Sequence, residues 1–118
     1  IDFGNEGIIP VAVQDEITKE VLVIAYANKA ALEQTLDTGV VTFWSRSRNE
    51  LWVKGATSGN RYFASEVRVN CESNSLLYLA KPEAGGMCHV SDEQEDARTS
   101  CFYRRIELQE EGLEFRIG

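Results

Sequence analysis

Only one stretch of this chain carries the period of an α-helix, and that excludes most architectures. In "NKAALEQTLDTG", residues 28–39, Ala31, Leu32 and Leu36 recur on one face of a short amphipathic helix. Asn28 stands where an N-terminal cap belongs and Gly39 where a C-terminal cap belongs. Elsewhere the apolar residues come in short runs broken by turn residues, which is how strands read. "IIPVAVQD" (8–15) is a first strand, with Pro10 near its start, where a missing N–H matters least. After the polar turn "EITKE", the continuous apolar run "VLVIAYA" (21–27) predicts a strand buried on both faces. "VVTFWS" (40–45) and "LWVK" (51–54) are a third and fourth, around the turn "RSRNE". "YFASEVRVNCE" (62–72) alternates, with Val67, Val69 and Cys71 on one face and Glu66, Arg68, Asn70 and Glu72 on the other. "SLLYLA" (75–80) is its partner, and "CFYRRIELQ" and "LEFRI" form a last pair around "EEG" (110–112). These elements add up to an α+β, mainly β domain.

The chain has 118 residues, 43% of them hydrophobic, which suits one domain with a real core. There is no internal repeat, linker or low-complexity segment. A net charge of −7 disfavours general nucleic-acid binding by bulk charge. The acid gathers in 83–96 and 107–114, whereas the middle keeps Arg46, Arg48, Lys54, Arg61 and Arg68, so a local anion site remains open. No apolar run approaches a membrane span and no charged-then-apolar leader is present, although a chain beginning at Ile1 looks trimmed. Three cysteines make no disulfide framework, which points to a reducing, cytoplasmic setting.

Those cysteines are the first chemistry to weigh. Zinc takes thiolates and imidazoles in tetrahedral sites, and a catalytic site keeps one position for water. Cys71, Cys88 and Cys101 are three candidate thiolates, with His89 beside one of them. No C-x-x-C pair is present, so two readings stand: a metal site, or inert core cysteines, with Cys71 on the apolar face of its strand. His89 is either a general base or proton shuttle, or a polar residue satisfying a hydrogen bond. "SRSRNELWVKGATSGN" puts two arginines, a lysine and hydroxyls around glycines. Arg46 and Arg48, two apart, face the same way on an extended segment and could fork onto a phosphate that backbone N–H groups at Gly55 and Gly59 approach. The plainer reading is a solvated hairpin, and the order of residues is not that of a P-loop. Trp44 and Trp52 flank the block, as core residues or as surfaces for a nucleobase.

Taken together, "GIIPVAVQD", "EVLVIAYANKAAL", "FWSRSRNELWVKGATSGN", "VRVNCESNSLLYL", "MCH" and "SCFYRR" resemble the phosphoribosyl-AMP cyclohydrolases of histidine biosynthesis, in the family's order and over 7–105. The resemblance implies a compact single domain over 1–118 with a mixed, barrel-like folded sheet, one short helix and an intertwined homodimer. It implies zinc-dependent opening of the adenine six-membered ring of phosphoribosyl-AMP by water, akin to the attack of metal-activated water in zinc deaminases. Cys71, Cys88 and Cys101 fall on the zinc-thiolate positions, one zinc per subunit, with Cys71 of one chain joining Cys88 and Cys101 of the other. His89 falls on the histidine expected to move protons. Trp44, Arg46, Ser47, Arg48, Lys54, Thr57, Ser58 and Gly59 fall in the substrate block. No nucleic acid and no membrane are expected as partners.

The chain departs from the pattern in several places. Where the family has Asp-Cys-Asp-x-Asp, a magnesium motif, this chain has "NCESN", so the formal charge falls from −3 to −1. Strand alternation places Asn70, Glu72 and Asn74 together opposite Cys71, a degenerate magnesium site that would lean on substrate phosphate and water. Ala56 replaces an acidic residue before "TSG", and "SDEQEDA" (91–97) lengthens the stretch between Cys88 and Cys101, as a solvated loop or a lid. With the sequence ending at Gly118, the helical pyrophosphohydrolase domain that many relatives carry is not expected here. These departures leave a second expectation open: a diverged paralogue that keeps fold and zinc with altered or no cyclohydrolase activity.

Overall fold

In the computed structural model, residues 1–106 are described, together with the backbone of 115–117. The elements are β1 (Ile9–Asp15), β2 (Val21–Ala27), α1 (Lys29–Thr38), β3 (Thr42–Ser45), β4 (Glu50–Val53), β5 (Tyr62–Val69), β6 (Leu76–Pro82), β7 (Arg104–Ile106) and β8 (Phe115–Ile117). The expected turn at 110–112 lies outside the described residues.

β1 and β2 pair antiparallel across a turn that Asp15 closes. Its carboxylate accepts the N–H groups of Ile17 at 2.8 Å and Thr18 at 2.9 Å, and these bonds hold its pKa below the ordinary 3.8. β1 pairs parallel with β6, and β6 antiparallel with β5, so the main sheet is mixed, in the order β2-β1-β6-β5. Val11, Val13, Leu76, Tyr78 and Ala80 line its inner face. α1 and the β3–β4 hairpin close over that core with Ala31, Leu32, Val41 and Phe43. The result is one compact, mainly β domain with a single helix.

The helix ends as its capping residues predict. The Asn28 side chain accepts the Ala31 N–H at 2.9 Å, and Gly39, at φ 77°, donates its N–H to the Thr35 carbonyl. Its buried face differs by one residue. Thr35 is buried and Leu36 is 60% exposed. The threonine can go inside because its hydroxyl donates to the Ala31 carbonyl at 3.0 Å and accepts the Thr42 N–H at 3.0 Å.

Three further expectations are corrected. The sheet is open rather than barrel-like. The β3–β4 hairpin reaches β5 through the lone bridge Val40–Phe63 and two flanking bonds, Val41 N–H to the Tyr62 carbonyl and Ala64 N–H to the Gly39 carbonyl, too few for a closed ladder. β2 is an edge strand and not buried on both faces, since Val21 and Ile24 lie exposed. Finally, β5 stops at Val69, and the alternation expected through Glu72 breaks in a turn over 70–75 with Ser73 at φ 57°.

Candidate metal and substrate site

Two cysteines meet under the edge of the main sheet. Cys88 is buried and Cys101 half-buried, and the two thiols lie close enough for each to bear on the other's charge. The loop between them is a closed hairpin. Met87 N–H donates to the Thr99 carbonyl at 3.1 Å, Cys88 N–H to that of Arg98 at 3.0 Å, and Arg98 N–H to that of Val90 at 3.2 Å. At the tip the Asp92 carboxylate accepts from Gln94 N–H at 2.9 Å and Asp96 N–H at 3.0 Å. The acidic insertion 91–97 is therefore the self-bonded end of the hairpin that holds the Cys88 segment to the Cys101 segment.

Cys101 is tied to the sheet as well. Its N–H donates to the Leu22 carbonyl at 2.8 Å, on the outer edge of β2. Ser100, buried, donates its hydroxyl to the Val21 carbonyl at 2.7 Å and accepts the Phe102 N–H at 2.9 Å. Nothing in the sequence marked Ser100, because a serine beside a cysteine carries no pattern.

Lys54 completes the thiol environment. It is only 7% exposed. Burial lowers its pKa, opposed by the charges of Cys101 and Cys88. Burial pushes the Cys101 thiol up, to about 11, helped by the charge and hydrogen bond of Cys88 and opposed by Lys54. A buried cation beside two sulfurs fits a site built for thiolates, which a divalent metal would make the stable form. Val90 N–H donates to the Cys88 sulfur at 3.3 Å, in the same sense.

Cys71 does not join them. It lies exposed in the 70–75 turn rather than on an apolar strand face. Among the described residues no group of three His, Cys, Asp or Glu side chains comes close enough within one chain to hold a metal. His89 follows Cys88 with its side chain exposed.

Asn70, Glu72 and Asn74 do come together, through the turn and not through strand alternation. The Asn70 side-chain oxygen accepts the N–H of Asn74 at 2.8 Å and of Ser75 at 3.0 Å, and its amide donates to the Asn74 oxygen at 2.8 Å. Asn74 in turn donates to Glu72 at 3.5 Å. Two of the three expected donors are spent inside the turn. Only the Glu72 carboxylate is left to offer charge, so a magnesium ion here would have to take its other ligands from substrate phosphate and water.

The substrate block forms one side of a cleft of about 350 Å³ lined by Ser45, Ser47, Arg48, Trp52 and Thr57. Arg46 and Arg48 do not face the same way by strand alternation, because both sit in the turn between β3 and β4. Arg46 stacks on Tyr26 of β2, 3.7 Å from the ring centre, while Arg48 lines the cleft. Trp44 is half-buried against the core, whereas Trp52 stands in the cleft. Residues 55–60 form a tight loop, with Gly59 N–H on the Gly55 carbonyl at 2.8 Å and Ser58 accepting the Asn60 N–H at 3.3 Å. Asn60 then accepts the Gly85 N–H at 3.0 Å, and Tyr62 donates to the Gly85 carbonyl at 3.4 Å. These bonds couple the small-residue loop to the segment leading into Cys88.

Known proteins resemble this chain over most of its length. The phosphoribosyl-AMP cyclohydrolase family model matches residues 23–103. A phosphoribosyl-AMP cyclohydrolase of Archaeoglobus fulgidus is 48% identical over 107 residues, covering 91% of this chain and 93% of the relative. One from Methanosarcina barkeri is 46% identical over 111 residues, covering 91% and 81%. A histidine biosynthesis bifunctional protein of Aquifex aeolicus is 42% identical over 107 residues, covering 91% of this chain and 49% of that one. A match of this extent, over the thiol pair and the cleft alike, places the chain in the phosphoribosyl-AMP cyclohydrolase family.

Proposed function

We propose that this chain hydrolyses the adenine ring of phosphoribosyl-AMP, adding water at a ring carbon and breaking a ring C–N bond to give the formimino-AICAR ribonucleotide in histidine biosynthesis. The observation that carries the proposal is the thiol pair Cys88–Cys101 beside buried Lys54, in a chain 48% identical to a phosphoribosyl-AMP cyclohydrolase over nearly its whole length. Cys88 and Cys101 would hold zinc together with Cys71 of the partner subunit in a homodimer. The exposure of Cys71 supports that reading, since a ligand for a neighbouring chain must stand on the surface. Bound zinc supplies a water whose pKa is lowered towards neutrality.

The remaining work falls to side chains. Arg48, with the hydroxyls of Ser47 and Thr57, holds a phosphate at the cleft rim, where forked donors and short hydroxyls suit its oxygens. Lys54 offsets the negative charge of the thiolates. His89, exposed next to Cys88, takes and returns the proton that ring opening moves. A magnesium ion at 70–74 would rest on Glu72 with substrate phosphate and water, because the turn uses the Asn70 and Asn74 amides itself. A solution setting in the cytoplasm accords with the reaction, and no helix among the described residues is long and apolar enough to cross a membrane.

Purified protein supplied with zinc should turn over phosphoribosyl-AMP with an absorbance change as the ring opens, and should bind one zinc per subunit. Cys88→Ser and Cys101→Ser should lose the metal and the activity together. Zinc-loaded, folded protein with no turnover would refute the proposal. The turn at 70–74 favours one second reading, a paralogue that keeps fold and thiols with altered or lost activity. Asn70→Asp, Glu72→Asp and Asn74→Asp together would then create turnover absent from the parent, whereas an active parent excludes it.

A further inference from the structure

Trp52 is a large aromatic that the fold leaves half exposed. The residue is 46% exposed, although Phe43, its partner directly across the β3–β4 ladder, is buried at 1%. Phe43 fixes its tilt, with ring centres 5.7 Å apart and planes at 53°. Among the described residues that line the cleft, Trp52 is the one aromatic, and Ser45, Ser47, Arg48 and Thr57 supply hydroxyl and guanidinium donors around it. The Lys54 ammonium lies 5.9 Å from the ring centre, and that buried lysine feels the charges of Cys101 and Cys88. The ring thus shares a cleft with donors suited to a phosphate and neighbours the lysine that faces the thiol pair. A purine nucleotide needs the same sequence of features: an anion site, then a flat apolar surface, then the reacting group at the far edge of the base. Trp44 offers less of its face, being half-buried against the core, and it does not line this cleft.

We propose that Trp52, and not Trp44, is the platform on which the purine of the substrate stacks, with Arg48, Ser47 and Thr57 holding a phosphate at the rim of the same cleft. The inference rests on phosphoribosyl-AMP being the substrate. Stacking on an exposed indole tolerates small changes in the base, so the platform orients the ring and leaves its identity to polar groups.

The chain has two tryptophans, which makes the test spectroscopic. AMP should quench the intrinsic fluorescence of the parent protein, and ribose 5-phosphate, which has no purine, should not. Trp52→Phe should abolish the AMP quench while the emission of Trp44 remains. In turnover of phosphoribosyl-AMP, Trp52→Ala should raise KM about tenfold, within the range for loss of one base–aromatic stack. kcat should fall less, and Trp52→Phe should recover most of the KM loss. Trp52→Phe keeps a ring against Phe43, so its fold is preserved while the indole is lost. An AMP quench that survives in Trp52→Phe, an active parent with no AMP quench, or a KM within about twofold of the parent in Trp52→Ala would overturn the platform. Each of those results, in a parent that turns over the substrate, leaves the proposed reaction standing. A folded, zinc-loaded parent with no turnover removes the reaction, and the platform with it.

Discussion

Gly55 and Gly59 have nearly the same backbone, with φ of 82° and 79°, yet alanine should be far worse at one than at the other. In the left-handed region a Cβ costs about 1–2 kcal/mol. At Gly59 that is the whole cost, because an added Cβ meets nothing within 4 Å. At Gly55 the Cβ would land on the Asn60 carbonyl group and the Arg61 nitrogen, which are backbone and cannot swing aside. Overpacking of this kind adds about 1–3 kcal/mol, for a loss of about 2–5 kcal/mol in all. A 118-residue chain has an unfolding entropy of about 0.25 kcal/mol/K at its midpoint. Gly59→Ala should therefore lower Tm by about 4–8 °C and Gly55→Ala by about 8–20 °C, read by calorimetry or circular dichroism. Because the loop is bonded across its own ends and through Asn60 to Gly85, Gly55→Ala should also raise KM for phosphoribosyl-AMP. Equal losses of Tm in the two variants would refute the steric assignment.

Ser100→Ala removes one bond to Val21 and one from Phe102, about 1–3 kcal/mol together, so Tm should fall by about 4–12 °C in a thermal melt. The Asp15 pKa is lowered in the folded chain, so its contribution to stability is full above the ordinary 3.8 and is lost as pH falls through the lower folded value. Asp15→Asn should flatten that acid limb in Tm measured against pH and leave the neutral region less stable than the parent. Arg61 and Glu83 form a forked pair at 2.6 and 2.7 Å on the surface. Glu83→Gln should shift Tm less than Ser100→Ala does, and the shift should shrink at high salt, as a comparison of melts at two ionic strengths will show.

What the sequence made legible was local chemistry. Asn28 and Gly39 mark the ends of α1 because capping depends on a few adjacent atoms. The strands β1, β2 and β6 appear where their apolar runs lie. What it hid depends on partners distant in the chain. "VLVIAYA" reads as doubly buried, but its place at the edge of the sheet leaves Ile24 54% exposed. Thr35 takes the buried place expected for Leu36 because Thr42, seven residues on, satisfies its hydroxyl. The alternation of β5 runs on paper through Glu72, but the Asn70 side chain captures the backbone of Asn74 and Ser75 and folds the segment into a turn. At the site, the cysteines Cys88 and Cys101 were visible as residue types. Their buried lysine neighbour was visible only as part of a basic block, since nothing local distinguishes a lysine that points inward.

The attachment of Cys101 to β2 has a further consequence. The Val21 and Leu22 carbonyls belong to the outer side of an edge strand, where an unpaired row invites another chain to add itself as a strand. Ser100 and Cys101 occupy those acceptors, so the segment that presents a thiol to the site also serves as a guard against edge-to-edge aggregation. A chain that releases this segment should lose solubility along with its chemistry, and light scattering of Ser100→Ala on mild warming should rise before the parent's does.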